Sequence, residues 1–289
     1  MKHTTMSNRQ ERFISAEDVT SAWIKAVKTL MNQPKNEAFN LTVRIEDPTI
    51  ELPKQREFIE GYLRDHAGKL EKDHIETTAQ TIFPRPLLFK CPDPKDSVQR
   101  QKFYAQFMKS KSIIRSFRSN SRGTYFQRMI WWPSWDTAKG QNINQLETII
   151  QKINGGIASR VVHEIALENA SDIGINGINF YSPGADRKLV KYMSFPCLSY
   201  VSIKPESVQK PGGKIHMTAL YRNHYFIGRA YGNYLGLGWL LKFIADATGR
   251  KAGELLCVSS LAQLEFSSAG LSKREIRDML NILQTDKDF

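Results

Sequence analysis

The chain has 289 residues, with 41 Lys and Arg against 29 Asp and Glu, and a formal charge of +12 at pH 7. Hydrophobic residues make up 41% and charged residues 24%, which is typical of globular proteins and excludes collagen-like repeats and wholesale disorder. No apolar run reaches the roughly 20 residues of a membrane-spanning helix, and the polar first thirty residues lack a signal-peptide core, so we expect a cytoplasmic protein without a membrane partner.

Hydrophobic periodicity predicts that the chain opens with a helix followed by a strand. Ser15 and Asp18 resemble a capping box, and apolar residues then recur at helical spacing over 16–31. Apolar and polar residues alternate over 39–45, as in a half-buried strand.

Helical periods return over 54–82, 97–117 and 144–154. Between them lies the aromatic segment 123–133, GTYFQRMIWWP, which we interpret as extended. Its aromatic rings suit the stacking of nucleic-acid bases, and the alternative is a strand with one buried face.

The last part of the chain combines strands with two helices. Segments 161–181 and 198–221 have strand-like composition, and prolines and glycines break the second one into a hairpin. A long apolar helix is predicted over 235–247, and Ser272 with Glu275 forms a capping box before a final helix. These elements favour an α+β protein with a mostly antiparallel sheet covered by helices.

A glycine-rich stretch begins the long apolar helix. Gly232, Gly236 and Gly238 are interpreted as positions where this helix packs closely against the sheet.

The cysteines, histidines and net charge limit the functional classes. Cys91, Cys197 and Cys257 lack the number and spacing of a disulfide framework or a zinc ribbon, and six scattered histidines predict no metal site. The positive charge favours an anionic partner. Composition alone leaves nucleic acid, acidic membranes and phosphorylated metabolites open.

Short motifs follow one another in a fixed order in the middle and later parts of the chain. They are YFQRMIWWP from Tyr125, NQL from Asn144, SR from Ser159, FPCL from Phe195, LYRN from Leu220, Asn233 eleven residues after Arg222, and QLE from Gln263. This ordered set resembles the thymidylate synthase family, which includes the pyrimidine nucleotide hydroxymethylases. The resemblance covers 123–265 best and implies a single domain over 1–289, with an α+β fold whose sheet lies at a homodimer interface.

The resemblance implies covalent catalysis by Cys197. In the family, a thiolate adds to carbon 6 of a pyrimidine nucleoside monophosphate, and carbon 5 then captures a one-carbon unit from 5,10-methylenetetrahydrofolate. The chain would thus be a one-carbon transferase of nucleotide biosynthesis. A buried, unreactive thiol is the alternative for Cys197, and the same interpretation is kept for Cys91 and Cys257.

Several residues are implied to bind the nucleotide. Arg222 would hold the phosphate and favour the Cys197 thiolate, with Asn223 beside it. Asn233 would read the base, and its amide favours uracil over cytosine, while a helix N-cap is the alternative role.

The resemblance also implies two further arginines and a general acid. Arg160 would reach the phosphate of the partner subunit's site, and Arg128 would join it there. The family's catalytic glutamate has no clear match, and Glu76 is its candidate substitute, with an ordinary surface glutamate as the alternative.

The sequence departs from the family pattern at several positions. Gln263 and Glu265 stand where the family contacts the sugar hydroxyl, which leaves ribose and deoxyribose open. Tyr225 replaces a folate-contacting aspartate and, with Trp132, is the expected cofactor-binding side. Val161 replaces the second arginine of the Ser-Arg-Arg motif.

The end of the chain bears on the expected product. Only 24 residues (289 − 265) follow Glu265, and the family's closing tail has no match among them. Because that tail excludes water during hydride transfer, we expect a 5-hydroxymethyl product ahead of a methyl product. The alternatives are a catalytically silent nucleotide-binding protein and a nucleic-acid-binding protein.

Overall fold

The computed structural model describes residues 12–70, 74–116, 123–133, 142–157, 159–167, 197–207 and 212–285. The helices are α1 (Val19–Met31), α2 (Pro53–His66), α3 (His74–Ile82), α4 (Ser97–Lys109), α5 (Lys111–Ser116), α6 (Tyr125–Ile130), α7 (Gln145–Asn154), α8 (Tyr231–Ala247), α9 (Phe266–Ala269) and α10 (Lys273–Thr285). The strands are β1 (Phe13–Ala16), β2 (Glu37–Ile45), β3 (Trp132–Pro133), β4 (Asn142–Ile143), β5 (Glu164–Ala166), β6 (Leu198–Pro205), β7 (Lys214–Tyr221), β8 (His224–Tyr225) and β9 (Lys251–Gln263). A π turn, Phe226–Ala230, runs directly into α8.

A mixed sheet forms the centre of the described chain. Its strand order is β1-β2-β9-β7-β6-β5, with β8 paired to β9. The pairs β2 with β9, β6 with β7 and β5 with β6 are antiparallel, whereas β1 with β2 and β7 with β9 are parallel. The α+β class and the hairpin over 198–221 are thereby confirmed. The expectation of a mostly antiparallel sheet is wrong, because β1 with β2, β7 with β9 and β8 with β9 pair in parallel and the sheet is mixed.

Helix α1 connects the edge of the sheet to the π turn. The indole nitrogen of Trp23 donates to the carbonyl oxygen of Phe226 at 2.6 Å, and the Thr20 and Tyr231 hydroxyls lie 2.7 Å apart. The expected capping box at Ser15 is wrong. Asp18 caps the helix by accepting from the Ser21 amide at 2.9 Å, because Ser15 lies in β1.

Helices α3 and α8 approach each other at the glycine positions. A Cβ atom added to Gly236 would lie 2.6 Å from the carbonyl oxygen of Ala79, and one added to Gly232 would meet the carbonyl oxygen of Ile75. The interpretation of close packing is therefore correct, but the partner of Gly232 and Gly236 is helix α3 and that of Gly238 is the carbonyl oxygen of Pro48, beyond the end of β2, and not the sheet.

The segment 123–133 is wrong as an extended stretch, because most of it is helix α6. The Thr124 side chain accepts from the Gln127 amide at 3.2 Å and begins the helix. Phe126, Met129 and Ile130 then fall on one buried face. Phe126 packs among core aromatic rings, so it stacks on no base.

Other predicted elements agree with the structure in type. The predicted helix over 144–154 is α7, the one over 235–247 is α8 with an earlier start, and the capping box of α10 is formed by a 2.7 Å bond from the Ser272 amide to Glu275. Of the segment 161–181, residues 168–181 lie outside the described residues.

One face of the sheet carries exposed apolar side chains. Strand pairing aligns Phe13, Thr42, Val258, Leu220 and Tyr200 in one row across five strands. Leu220 and Tyr200 are each 38% exposed and Phe13 is 54% exposed. We call this row the open face. The alternating residues of the same strands point to the opposite, buried face.

Candidate active site

Cys197 lies at the start of β6, next to the residue that follows β7. Its carbonyl oxygen accepts from the Arg222 amide at 2.9 Å. The backbone amides of Cys197 and Leu198 both donate to the Tyr125 hydroxyl oxygen, at 3.1 and 3.4 Å. The first residue of α6 therefore holds the segment that carries the thiol. Phe195 and Pro196, which belong to the same motif, lie outside the described residues.

Burial and the nearby charges shift the pKa of the Cys197 thiol in opposite directions. Burial raises its pKa, whereas Arg222 and Arg229 lower it, and the net shift is upward. The expected effect of Arg222 has the right sign but is smaller than the cost of burying a thiolate. The thiol is therefore protonated at neutral pH in the free protein.

Arg229 was missed by the sequence analysis. It lies in the π turn, and its Nη1 atom donates to the Thr78 hydroxyl at 3.1 Å. Its charge lowers the pKa of Tyr125 and Glu265 as well as that of Cys197. The available signal was a single cation within the otherwise apolar stretch FIGRAYG.

Arg222 and Asn223 follow β7 directly and are both half-buried. The Asn223 Oδ1 atom is buried and has no hydrogen-bond partner among the described residues. Its acceptor capacity is therefore unused among the described residues.

Asn233 lies inside α8, so its alternative role as an N-cap is wrong. Its Nδ2 atom lies 3.0 Å from Nε2 of His224, and Nδ1 of His224 lies 3.0 Å from the Ser259 hydroxyl. The side chain is 4% exposed. The amide that was expected to read a base is thus already engaged at its nitrogen.

Gln263 and Glu265 point to different neighbours. Gln263 donates to a carboxylate oxygen of Glu37 at 3.2 Å, where the first residue of β2 pairs with the last residue of β9. Glu265 accepts from the amides of Ile227 and Gly228 at 3.2 and 2.6 Å. Burial raises the Glu265 pKa, and these two hydrogen bonds oppose that shift.

The other implied acid and arginines have their own partners. Glu76 lies 3.5 Å from an Arg56 nitrogen. Arg128 is 9% exposed and donates to the carbonyl oxygen of Leu167 at 3.0 Å. Arg160 is exposed and donates to the backbone carbonyl of residue 206.

The expected cofactor residues lie at two different places. Tyr225 is 38% exposed in β8, where it pairs with Gln263 of β9. Trp132 is half-buried in β3. Only Tyr225 lies in the peptide segment that also carries Arg222 and Asn233.

Two classes of feature were not found in the described ranges. No group of three His, Cys, Asp or Glu residues there is arranged to hold a metal ion. No described helix is long and apolar enough to cross a bilayer.

Three curated proteins, each named "Putative thymidylate synthase", are similar to this chain. The Methanosarcina mazei protein is 21% identical over 262 residues, covering 90% of this chain and 93% of the relative. The Methanosarcina acetivorans protein is 26% identical over 254 residues, covering 88% and 89%. These distant homologues support a thymidylate-synthase-like protein. The Methanosarcina barkeri protein is 26% identical over 141 residues, so this chain spans about half (52%) of that relative. No protein-family profile matches the chain.

Proposed function

We propose that this protein is an enzyme that forms a carbon–carbon bond at carbon 5 of a pyrimidine nucleoside monophosphate through a covalent adduct with Cys197. The observation that carries the proposal is the setting of this thiol, which is half-buried and lies within the electrostatic reach of Arg222 and Arg229. Attack requires the thiol to lose its proton to solvent; sulfur then bonds to carbon 6 while the C5–C6 double bond opens and its electron pair moves to carbon 5. After carbon 5 has bonded to the one-carbon unit, it loses its hydrogen as a proton and the bond between carbon 6 and sulfur breaks, which restores the ring double bond and frees Cys197. Both guanidinium groups favour the thiolate anion that forms.

The same cations suit the substrate phosphate. Arg222 follows the last residue of β7, and the buried Oδ1 atom of Asn223 beside it is an acceptor without a partner among the described residues. A guanidinium binds phosphate through two parallel hydrogen bonds, so we assign Arg222 to the phosphate. Asn233 is assigned to the base and Gln263 and Glu265 to the sugar side of the site.

A folate donor fits the aromatic and basic residues at this end of the sheet. The ring of Tyr225 is exposed and Arg229 is an exposed cation, which match a flat pterin ring and an anionic glutamate tail. When bound, methylenetetrahydrofolate would supply the one-carbon unit, and Trp132 is its second proposed contact. The product is proposed to be 5-hydroxymethyl or 5-methyl pyrimidine nucleotide.

We further propose a homodimer formed through the open face, as a single domain over the whole chain. The support is the row of partly exposed apolar residues on that face. In this assembly Arg160 reaches the partner subunit's phosphate. Glu76 and Arg128 are retained as proposed members of the site, although their described contacts are with Arg56 and with a backbone carbonyl.

Release of tritium from carbon 5 tests the reaction. We would incubate the protein and methylenetetrahydrofolate with UMP, dUMP, CMP and dCMP labelled at carbon 5, because bond formation there expels the hydrogen as a proton. We expect release from one nucleotide by the wild-type protein and by Cys91→Ala, which removes a thiol elsewhere. Cys197→Ala should lower the rate roughly a thousandfold or more. Equal release by both variants, or none from any nucleotide, would refute the proposal.

A catalytically silent nucleotide-binding protein is the second candidate. It is favoured by the raised pKa of the Cys197 thiol and by the engagement of the Asn233 amide with His224. Calorimetry separates the two: micromolar nucleotide binding that survives Cys197→Ala, with no tritium release, would support this alternative.

A further inference from the structure

A chain of three buried polar side chains connects α8 to the sheet. Asn233 contacts Nε2 of His224, and Nδ1 of His224 contacts Ser259, each at 3.0 Å. The three residues are 4%, 1% and 0% exposed, respectively. The imidazole also stacks on the Tyr221 ring at 4.0 Å, which fixes its plane.

The protonation state of His224 follows from these contacts. Burial lowers its pKa to about 3, so the ring is neutral and carries one N–H. An amide nitrogen only donates, so Nε2 must be the acceptor from Asn233. The proton therefore resides on Nδ1 and is donated to the Ser259 hydroxyl oxygen.

The tautomer of His224 and the orientation of the Asn233 amide are coupled, because Nε2 without a proton pairs with the amide nitrogen and Nε2 with a proton pairs with the amide oxygen. An amide that is free to flip presents its donor and acceptor in either order. Uracil offers N–H and C=O along its edge, whereas cytosine offers a ring nitrogen and an amino group, which is the opposite order. If the Asn233 Nδ2 atom is fixed against His224, the amide presents its donor and its acceptor to a base in one order only.

We propose that His224, hydrogen-bonded to Ser259 through Nδ1 and to Asn233 through Nε2, is a positioning residue that fixes the Asn233 amide and so sets the preference between uracil and cytosine. This inference rests on the proposed function, because it assigns Asn233 to the base. His224 and Ser259 act through Asn233 and need no contact with the nucleotide. The opposite tautomer would donate from Nε2 and turn the amide oxygen of Asn233 toward the ring.

The tautomer is measured directly in the free protein. We would record ring ¹⁵N chemical shifts of histidine-labelled wild-type protein and assign the His224 signals by their loss in His224→Gln. We expect a neutral ring with protonated Nδ1 at pH 7. A ring protonated on Nε2, or an imidazolium, overturns the inference.

Base preference is then measured by calorimetry with UMP, CMP, dUMP and dCMP. Ser259→Ala removes the hydrogen-bond partner of His224 Nδ1, and Tyr234→Phe is the matched control. The Tyr234 hydroxyl is equally buried and has no partner among the described residues, while its ring keeps the contact with His224. We expect the wild-type protein and Tyr234→Phe to favour uracil about tenfold or more, and Ser259→Ala to bind both bases within about threefold.

The outcomes separate the two proposals. A folded Ser259→Ala protein that keeps the wild-type preference removes the role of His224 and leaves the enzyme proposal intact. If the wild-type protein binds none of the four nucleotides, the proposed function fails and the specificity role fails with it, whatever the tautomer.

Discussion

The surroundings of Cys197 have two opposing effects on the pKa of its thiol. Burial raises its pKa, while two arginines lower it, and burial has the larger effect. A binding event that brought the guanidinium groups closer or changed the solvation would therefore change the thiolate population. The other two thiols are more deeply buried: Cys91 and Cys257 are 2% and 0% exposed, and burial raises the pKa of both.

Replacing Arg229 should reduce the reactivity of Cys197. Removal of a nearby cation raises the pKa of the thiol further, so the thiolate fraction at a given pH falls. We expect Arg229→Ala to slow alkylation by iodoacetamide at pH 8 roughly three- to tenfold and to move the pH profile upward. Alkylation is followed by mass spectrometry of the Cys197 peptide.

Two controls accompany this measurement. Arg229→Lys retains the charge and should alkylate at close to the wild-type rate. Arg274→Ala removes an arginine whose side chain is 88% exposed on α10, and should leave the rate unchanged. An Arg229→Ala rate equal to that of Arg274→Ala would show that this charge does not act on the thiol.

Sequence motifs identified the residues of the site that belong to the pattern of the resembled family. Cys197, Arg222 and Asn233 follow from the order of the motifs, and the backbone bond between Cys197 and Arg222 places the first two side by side. His224 and Ser259 were not predicted as a pair because they meet only through the pairing of distant strands. The two residues are 35 positions apart in sequence.

At the scale of elements, the periodicity of apolar residues predicted most helices but failed for α6. Its aromatic and β-branched composition favours a strand. Burial of Phe126 and Met129 on one side, with the cap at Thr124, outweighs that preference. Strand β9 was not predicted, although its buried residues alternate, because it was interpreted only through its motifs.

Gly236→Ala should destabilise the protein at the contact between α3 and α8. Alanine is about 1 kcal/mol better than glycine within a helix, which alone would stabilise α8. The added Cβ, however, would lie 2.6 Å from the backbone oxygen of Ala79, and a backbone atom cannot move aside cheaply. We expect a net loss of about 1–3 kcal/mol in the free energy of unfolding, measured with urea.

Gly68→Ala is the matched control for this substitution. Gly68 is exposed, and a Cβ atom there would meet no heavy atom within 4 Å. Its effect should stay within about 0.5 kcal/mol. If Gly236→Ala were as stable as Gly68→Ala, the close approach of the two helices would be refuted.

At the scale of the whole molecule, the two faces of the sheet differ. One face packs against α1 and α8, and the open face presents its row of partly exposed apolar residues. Exposed apolar rows of this kind mark protein interfaces. The alternation of apolar residues within each strand could not predict this row, because the order and register of the strands decide which side chains become neighbours on one face.

The open face is therefore the surface on which the proposed dimer can be tested. Leu220→Lys places a charge within the open face, and burying that charge without a partner would cost several times the energy of one apolar contact. Ile282→Lys is the matched control, since Ile282 has the same 38% exposure but lies on α10. Sedimentation velocity at micromolar concentration should show a dimer for the wild-type protein and for Ile282→Lys. Leu220→Lys should sediment as a monomer, and a monomeric wild-type protein or a dimeric Leu220→Lys protein would refute the open face as the interface.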